Sequence, residues 1–192
     1  SQWKTTSDAR SGLMGIYALT RAALADDYTH WIMGELRFGD FTPYIKSEFR
    51  AVTEDNLTAS YPLLTRITNW RRFYAIINSA SVFIETAPAI LDSDKTYTSS
   101  NLRLDLAQAR ALRAFAYFYM VRIWGDVPLI RSAYDNGQFS EFQQATSKQV
   151  LDYAEQELLV AVADLPFVYG KEPNYYYTKQ SAYWHGALFN KL

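Results

Sequence analysis

Apolar side chains return every three or four residues in one segment after another along this chain, the period of a helix that buries one face. No stretch shows the apolar–polar alternation of a half-buried strand. A chain patterned this way must lay its helices against one another. With 8 Gly and 6 Pro in 192 residues, there are too few breakers for a loop-rich fold, and long uninterrupted elements are expected. A content of 49% hydrophobic and 20% charged residues excludes a disordered chain. Nineteen Lys and Arg against 20 Asp and Glu give a net charge of −1, which excludes a basic nucleic-acid binder.

The first helix is expected to be capped at Ser7, with Leu13, Ile16, Tyr17, Thr20, Ala23 and Leu24 on one face and a break at Asp26-Asp27. Tyr28, Trp31, Ile32 and Leu36 form a second short apolar face ending at Gly39. From Gly39 to Tyr61 the period fails, and connections of this length are often functional. After Pro62, the spacing of Leu63, Ile67, Trp70, Tyr74, Ile77, Ala80 and Ile84 predicts one helix of about six turns, closed by Pro88. Another helix begins near Ser99-Ser100 and stops at Gly125 and Pro128. A polar connection, 132–146, leads to a helix capped at Ser147 with Val150, Tyr153, Ala154, Leu158, Ala161 and Leu165 inward. A Tyr-rich loop, 169–177, precedes a last helix from Thr178 whose pattern runs on to Leu192. The expectation is an all-α, solenoid-like array of stacked helical hairpins without a full tetratricopeptide signature, forming one domain over residues 1–192 and belonging to a longer protein.

Several chemistries find no residues to carry them. Zero cysteines exclude disulfides, thiolate metal sites and a cysteine nucleophile within the sequence. The longest apolar run, Ala114–Val121, falls short of the roughly 18 residues that span a bilayer. His30 and His185 are the only histidines, and neither a nucleophile elbow nor a Gly-rich phosphate loop is present, so no catalytic role and no cofactor are expected. Asp26 and Asp27, with Glu35 and Asp40 beyond, match no calcium-loop spacing. Adjacent carboxylates also diverge too much to flank a glycosidic bond, so helix-end capping is their expected role.

The 31 aromatic residues divide by period. Tyr17, Trp70, Tyr74, Phe115, Tyr119 and Tyr153 fall in apolar stripes and are expected in the core. Phe38, Phe41, Tyr44 and Tyr61 are off-period and expected at the surface. A flat ring can stack on the apolar face of a sugar while Arg37, Asp40 or Asn56 hydrogen-bonds its hydroxyls. Arg37, Phe38, Asp40, Phe41, Tyr44 and Tyr61 are therefore the candidate ligand-binding residues, with Tyr175, Tyr176 and Tyr177 as a second aromatic loop.

The segment from Ala107 through Arg110, Arg113, Tyr117 and Trp124 into Gly125-Asp126-Val127-Pro128-Leu129 resembles the most recognisable helix and turn of the SusD/RagB family. Trp70 to Asn78 (WRRFYAIIN) and Val150 to Pro166 resemble two further blocks of that family in the same order. The resemblance implies a helical, tetratricopeptide-like fold in which Arg110 and Arg113 belong to the scaffold. It also implies a non-catalytic, surface-exposed outer-membrane lipoprotein of Bacteroidetes that captures glycans or peptides for a SusC-like TonB-dependent transporter. The lipid-bearing cysteine of that family is expected outside this sequence. A helical-repeat scaffold that binds a protein partner through its concave face is the alternative.

Overall fold

The computed structural model describes residues 3–58 and 60–166. Helix α1 (Thr6–Ala25) starts two residues before the expected Ser7 cap, at Thr5. Asp8 explains the choice: its backbone N–H donates to Thr5 Oγ1 (3.1 Å) while its carboxylate accepts from the Thr5 N–H (2.8 Å), a reciprocal box that Ser7 has no partner to form. The acidic pair ends α1 as expected, through a 3₁₀ turn, Asp26–Tyr28. The chain then winds through α2 (Thr29–Trp31) and a π-helical stretch, Ile32–Leu36.

The aperiodic 39–61 segment holds one short helix, α3 (Phe49–Thr53), too brief to show a period. Its Ala51 and Val52 close a small second core with Ile32, Leu36, Leu64 and Ile67. The single helix expected after Pro62 is broken into α4 (Pro62–Ile67) and α5 (Arg71–Thr86). Between them, the Thr68 carbonyl accepts from the Trp124 indole N–H (3.0 Å) and Asn69 Oδ1 accepts from the Arg71 N–H (3.0 Å). These bonds satisfy the backbone groups that the break exposes. α5 ends at Thr86, just before Pro88 as expected, and the proline sits in a 3₁₀ turn, Ala87–Ala89, leading into α6 (Ile90–Ser93), where a first-turn proline sacrifices no helical bond.

Helix α7 (Ser99–Trp124), capped by Thr98, is the axle of the fold. It packs against α1, α5 and, most extensively, α8 (Ser147–Val162), and is buried on nearly every side. Gly125 takes the expected positive φ of 70°, and Asp126 accepts from the backbone N–H (2.7 Å) and hydroxyl (2.8 Å) of Ser147. The cap of α8 is Thr146, paired with Gln149, rather than Ser147. A two-residue antiparallel pairing of β1 (Val127–Pro128) with β2 (Gln144–Ala145) closes the connection, too short to leave an alternating trace in the sequence.

Val150, Ala154 and Ala161 of α8, and Leu165 just after it, are buried as expected, but Leu158 is exposed and Glu157 takes the inward place. The cause is electrostatic. Arg113, nearly fully buried on α7, donates through Nε (3.0 Å) and Nη2 to Glu157 Oε2, and Arg110 Nη1 donates to Oε1 (2.8 Å). The remaining Arg113 Nη1 donates to Ser81 Oγ on α5 (2.9 Å) and to the Arg131 carbonyl (3.2 Å). One guanidinium thus ties α7 to α8, α5 and the chain beyond the turn. The buried Tyr117 hydroxyl works alongside it, donating to the Ile130 carbonyl (2.7 Å) and accepting from the Ile130 N–H (2.8 Å).

Residues 62–93 are apolar enough, by length and composition, to pass for a membrane span. Their apolar face is instead spent on the core: Phe73, Ile76, Ile77, Ala80 and Phe83 of α5 are buried against α1 and α7. The Tyr-rich loop 169–177, His185 and the helix expected from Thr178 lie outside the described residues.

Removing one partner of a buried ion pair strands the other charge, so Glu157→Ala should cost about 3–5 kcal/mol, and the melting temperature should drop by roughly 10 °C. At the opposite end, Asp94 accepts from the Thr6 N–H and hydroxyl (both 2.8 Å) and from Thr96, bonds that hold its carboxyl well below the usual range. Because the folded form is the more acidic one, this contribution is complete above the unfolded pKa near 4 and is lost as the pH falls below it. Thermal melts between pH 6 and pH 2 should therefore show a decline that Asp94→Asn makes shallower.

Candidate ligand-binding face

Near residues 28–61 large apolar rings stay in solvent instead of joining the core. Phe38 and Tyr44 are 79% and 73% exposed, and neither pairs with another ring among the described residues. Phe41 is half exposed and meets Trp31, ring centroids 5.5 Å apart and tilted by 58°. Arg37 is held by Asp55, Nη2 and Nε lying 2.7 and 3.0 Å from Oδ1, which ties the end of the π-helical stretch to the turn after α3. Asp40 stands at the surface. Tyr61 lies apart from the Trp31–Phe41 pair, at the rim of a separate hollow of about 290 Å³ with Lys46, Ser47, Arg50 and Asn56. Of the six candidate residues, Phe41 joins a ring pair, Arg37 is a fixed guanidinium and Tyr61 rims a polar hollow, while Phe38, Asp40 and Tyr44 stand in solvent.

Two members of this surface lie where periodicity places a buried stripe. Tyr28 and Trp31 are exposed, at 76% and 41%, although they share helical spacing with Ile32 and Leu36. Backbone geometry accounts for the difference. Asp27 and Tyr28 both have positive φ, 55° and 57°, a region costly for residues with a Cβ, and the π winding that follows resets which side chains face inward. Ile32, Met33 and Leu36 then take the buried positions, leaving Trp31 outside. The adjacent aspartates were the only trace of this irregularity in the sequence.

Those aspartates serve as anchors. Asp27 accepts from Arg66 Nε (3.1 Å) and Arg72 Nη2 (3.3 Å), and the Asp26 carbonyl accepts from the Thr29 hydroxyl (2.8 Å). Among the described residues, no group of three or more His, Cys, Asp or Glu side chains is placed to hold a metal ion. His30 is exposed, its Nδ1 3.3 Å from the hydroxyl of Tyr119, whose phenol is raised above its ordinary pKa by burial.

The helical frame has known counterparts. A family profile described as "Starch-binding associating with outer membrane" matches residues 36–188. The chain belongs to the SusD-like family. A SusD superfamily protein of Bacteroides thetaiotaomicron, solved as a crystal structure, superposes with a TM-score of 0.91 at 57% identity, over 98% of this chain and 41% of that one. SusD-like protein P38 of Formosa agariphila is 33% identical over 177 residues, 86% of this chain and 32% of the relative. A laminarin-binding SusD-like protein shares the fold at a TM-score of 0.69 and 23% identity, over 90% of this chain and 38% of that one. The chain therefore spans about a third to two fifths of these SusD-like relatives, and the family match begins at Leu36, just after the exposed Trp31.

A bulky residue in the left-handed region should be improved upon by glycine. Tyr28→Gly is expected to stabilise the fold by about 1 kcal/mol, read as a higher denaturant midpoint at unchanged slope.

Proposed function

We propose that the chain is the helical part of a longer, non-catalytic SusD-like protein that binds an oligosaccharide at the cell surface and passes it to a SusC-like TonB-dependent transporter. The observation that carries the reading is the run of exposed rings from Tyr28 to Tyr61 beside hydrogen-bonding side chains, on a chain whose family is described as starch-binding and associating with the outer membrane. Ring faces supply apolar contact to the C–H face of a sugar, and the polar groups select its hydroxyls. Because Arg37 is fixed by Asp55 and Trp31 by its packing with Phe41, the platform loses little freedom when a ligand arrives. A peptide in place of the oligosaccharide would use the same rings, and the ligand panel separates the two.

The helical scaffold for a protein partner is supported by a different surface. Phe118, Leu151, Leu158, Leu159 and Val162 leave an apolar cleft of about 600 Å³ between α7 and α8. On the transporter reading this apolar surface is also available to the barrel.

Calorimetry of the protein against neutral plant and algal oligosaccharides and against short peptides tests the proposal. Binding to at least one oligosaccharide is expected, and Trp31→Ala with Phe41→Ala should weaken it at least tenfold while changing stability by about 0.5 kcal/mol or less each, as for other exposed sites. Failure of every sugar to bind, or binding untouched by both substitutions, would contradict it. Recovery of a soluble protein partner instead, lost on Leu158→Lys, would favour the scaffold reading.

A further inference from the structure

Away from the ring-bearing loop, a cavity of about 770 Å³ opens between α1, α5 and the 132–142 connection, a size typical of small-ligand sites. Its walls are fixed from behind. Asn78 clamps the connection with both ends of its amide, Nδ2 donating to the Tyr134 carbonyl and Oδ1 accepting from the Tyr134 N–H, each at 3.0 Å. One residue earlier, the Ala133 N–H donates to Glu85 (2.8 Å). The Tyr74 hydroxyl donates to the Pro128 carbonyl (2.6 Å), and its ring holds Phe139 edge-on at 4.8 Å and Trp70 at 5.9 Å. Rings anchored in this way offer apolar surface without first having to be ordered.

The polar groups of the cavity differ in how far they are already used. Asn78 is consumed by its clamp and Asn69 Oδ1 by the start of α5. Arg71 and Ser79 are not: among the described residues no carboxylate lies within ion-pair distance of the Arg71 guanidinium, and no hydrogen bond engages the Ser79 hydroxyl. Among the described residues, no acidic side chain lines the cavity. The neighbouring Arg66 and Arg72 are, by contrast, each matched to Asp27. An unmatched cation at an aromatic-walled hollow suits a sugar bearing a negative charge, with its carboxylate on the guanidinium and its ring against Trp70 or Tyr134.

We infer that the cavity between α1, α5 and the 132–142 connection is a second saccharide site, selective for short acidic sugars through Arg71. The inference rests on the reading of the chain as a saccharide binder but uses none of the residues of the 28–61 face.

Titration calorimetry with trigalacturonate and with uncharged galactotriose is the test. Trigalacturonate should bind at least tenfold more tightly than galactotriose, and more weakly as salt is raised. Arg71→Ala should remove at least tenfold of that affinity with an unchanged melting temperature, Arg71→Lys should restore part of it, and Phe41→Ala should leave it intact. Equal affinity for the two sugars, no binding of trigalacturonate, or indifference to Arg71→Ala would overturn the inference. If trigalacturonate binding is lost in Phe41→Ala and kept in Arg71→Ala, the sugar sits on the ring-bearing face. That result sinks the second site and leaves the proposed function standing, whereas failure of every neutral sugar while trigalacturonate is still held through Arg71 sinks the 28–61 face and leaves the second site standing.

Discussion

A single buried charge pair determines how the helices of this protein can be arranged. Arg113 and Glu157 face each other across α7 and α8 with almost no access to water, and burying two such charges is tolerable only when every donor and lone pair is met. The second carboxylate oxygen is met by Arg110, and the spare guanidinium nitrogen by Ser81 and the Arg131 carbonyl. The Ser81 hydroxyl in turn donates to the Ile77 carbonyl within α5. Sliding α8 by one turn would leave a charge unpaired in an apolar interior. Apolar contacts along α7 are tolerant of small shifts; this network is not, so it fixes the register that the hydrophobic pattern leaves loose.

From that frame the rest of the architecture follows outward. With α7 central, α1 and α5 bury their apolar faces on one flank and α8 on the other, while Asp94 latches the start of α1 to the turn before α7. The second small core of Ile32, Leu36, Val52 and Leu64 lies beyond this frame and supports the 28–61 segment from beneath. Because that segment has its own apolar footing, its outward rings do not have to contribute to stability. From Tyr28 to Tyr61, seven large apolar side chains remain in solvent, a concentration that folding alone does not explain. The chain's family is described as starch-binding and associating with the outer membrane.

Much of this was legible in the sequence because long helices leave a period. The ends of α7, the stop at Gly125 and the exposure of Phe38, Phe41, Tyr44 and Tyr61 all follow from spacing and residue type. Features lacking a period were hidden. The break at Thr68–Trp70 depends on an indole donated from Trp124, 56 residues away, and the five residues of α3 are fewer than two turns. Glu157 reads as an ordinary surface residue until its partners on α7 are known, which is why Leu158 was expected inward in its place. Tyr28 and Trp31 escaped because paired positive-φ residues and a π turn change the phase of the helix without changing its composition. The family resemblance reached the scaffold arginines, and the charge they neutralise required the packed structure.

The central claim is that α5, α7 and α8 form one cooperative unit locked by the Arg113–Glu157 pair. Amide hydrogen exchange on the isosteric Glu157→Gln protein, which removes the charge and keeps the shape, tests it most directly. The account predicts that protection falls together, and by a similar free energy, along α5, α7 and α8, since all three are bonded through Arg113. Loss confined to α8, with α5 and α7 protected as in the parent, would contradict it.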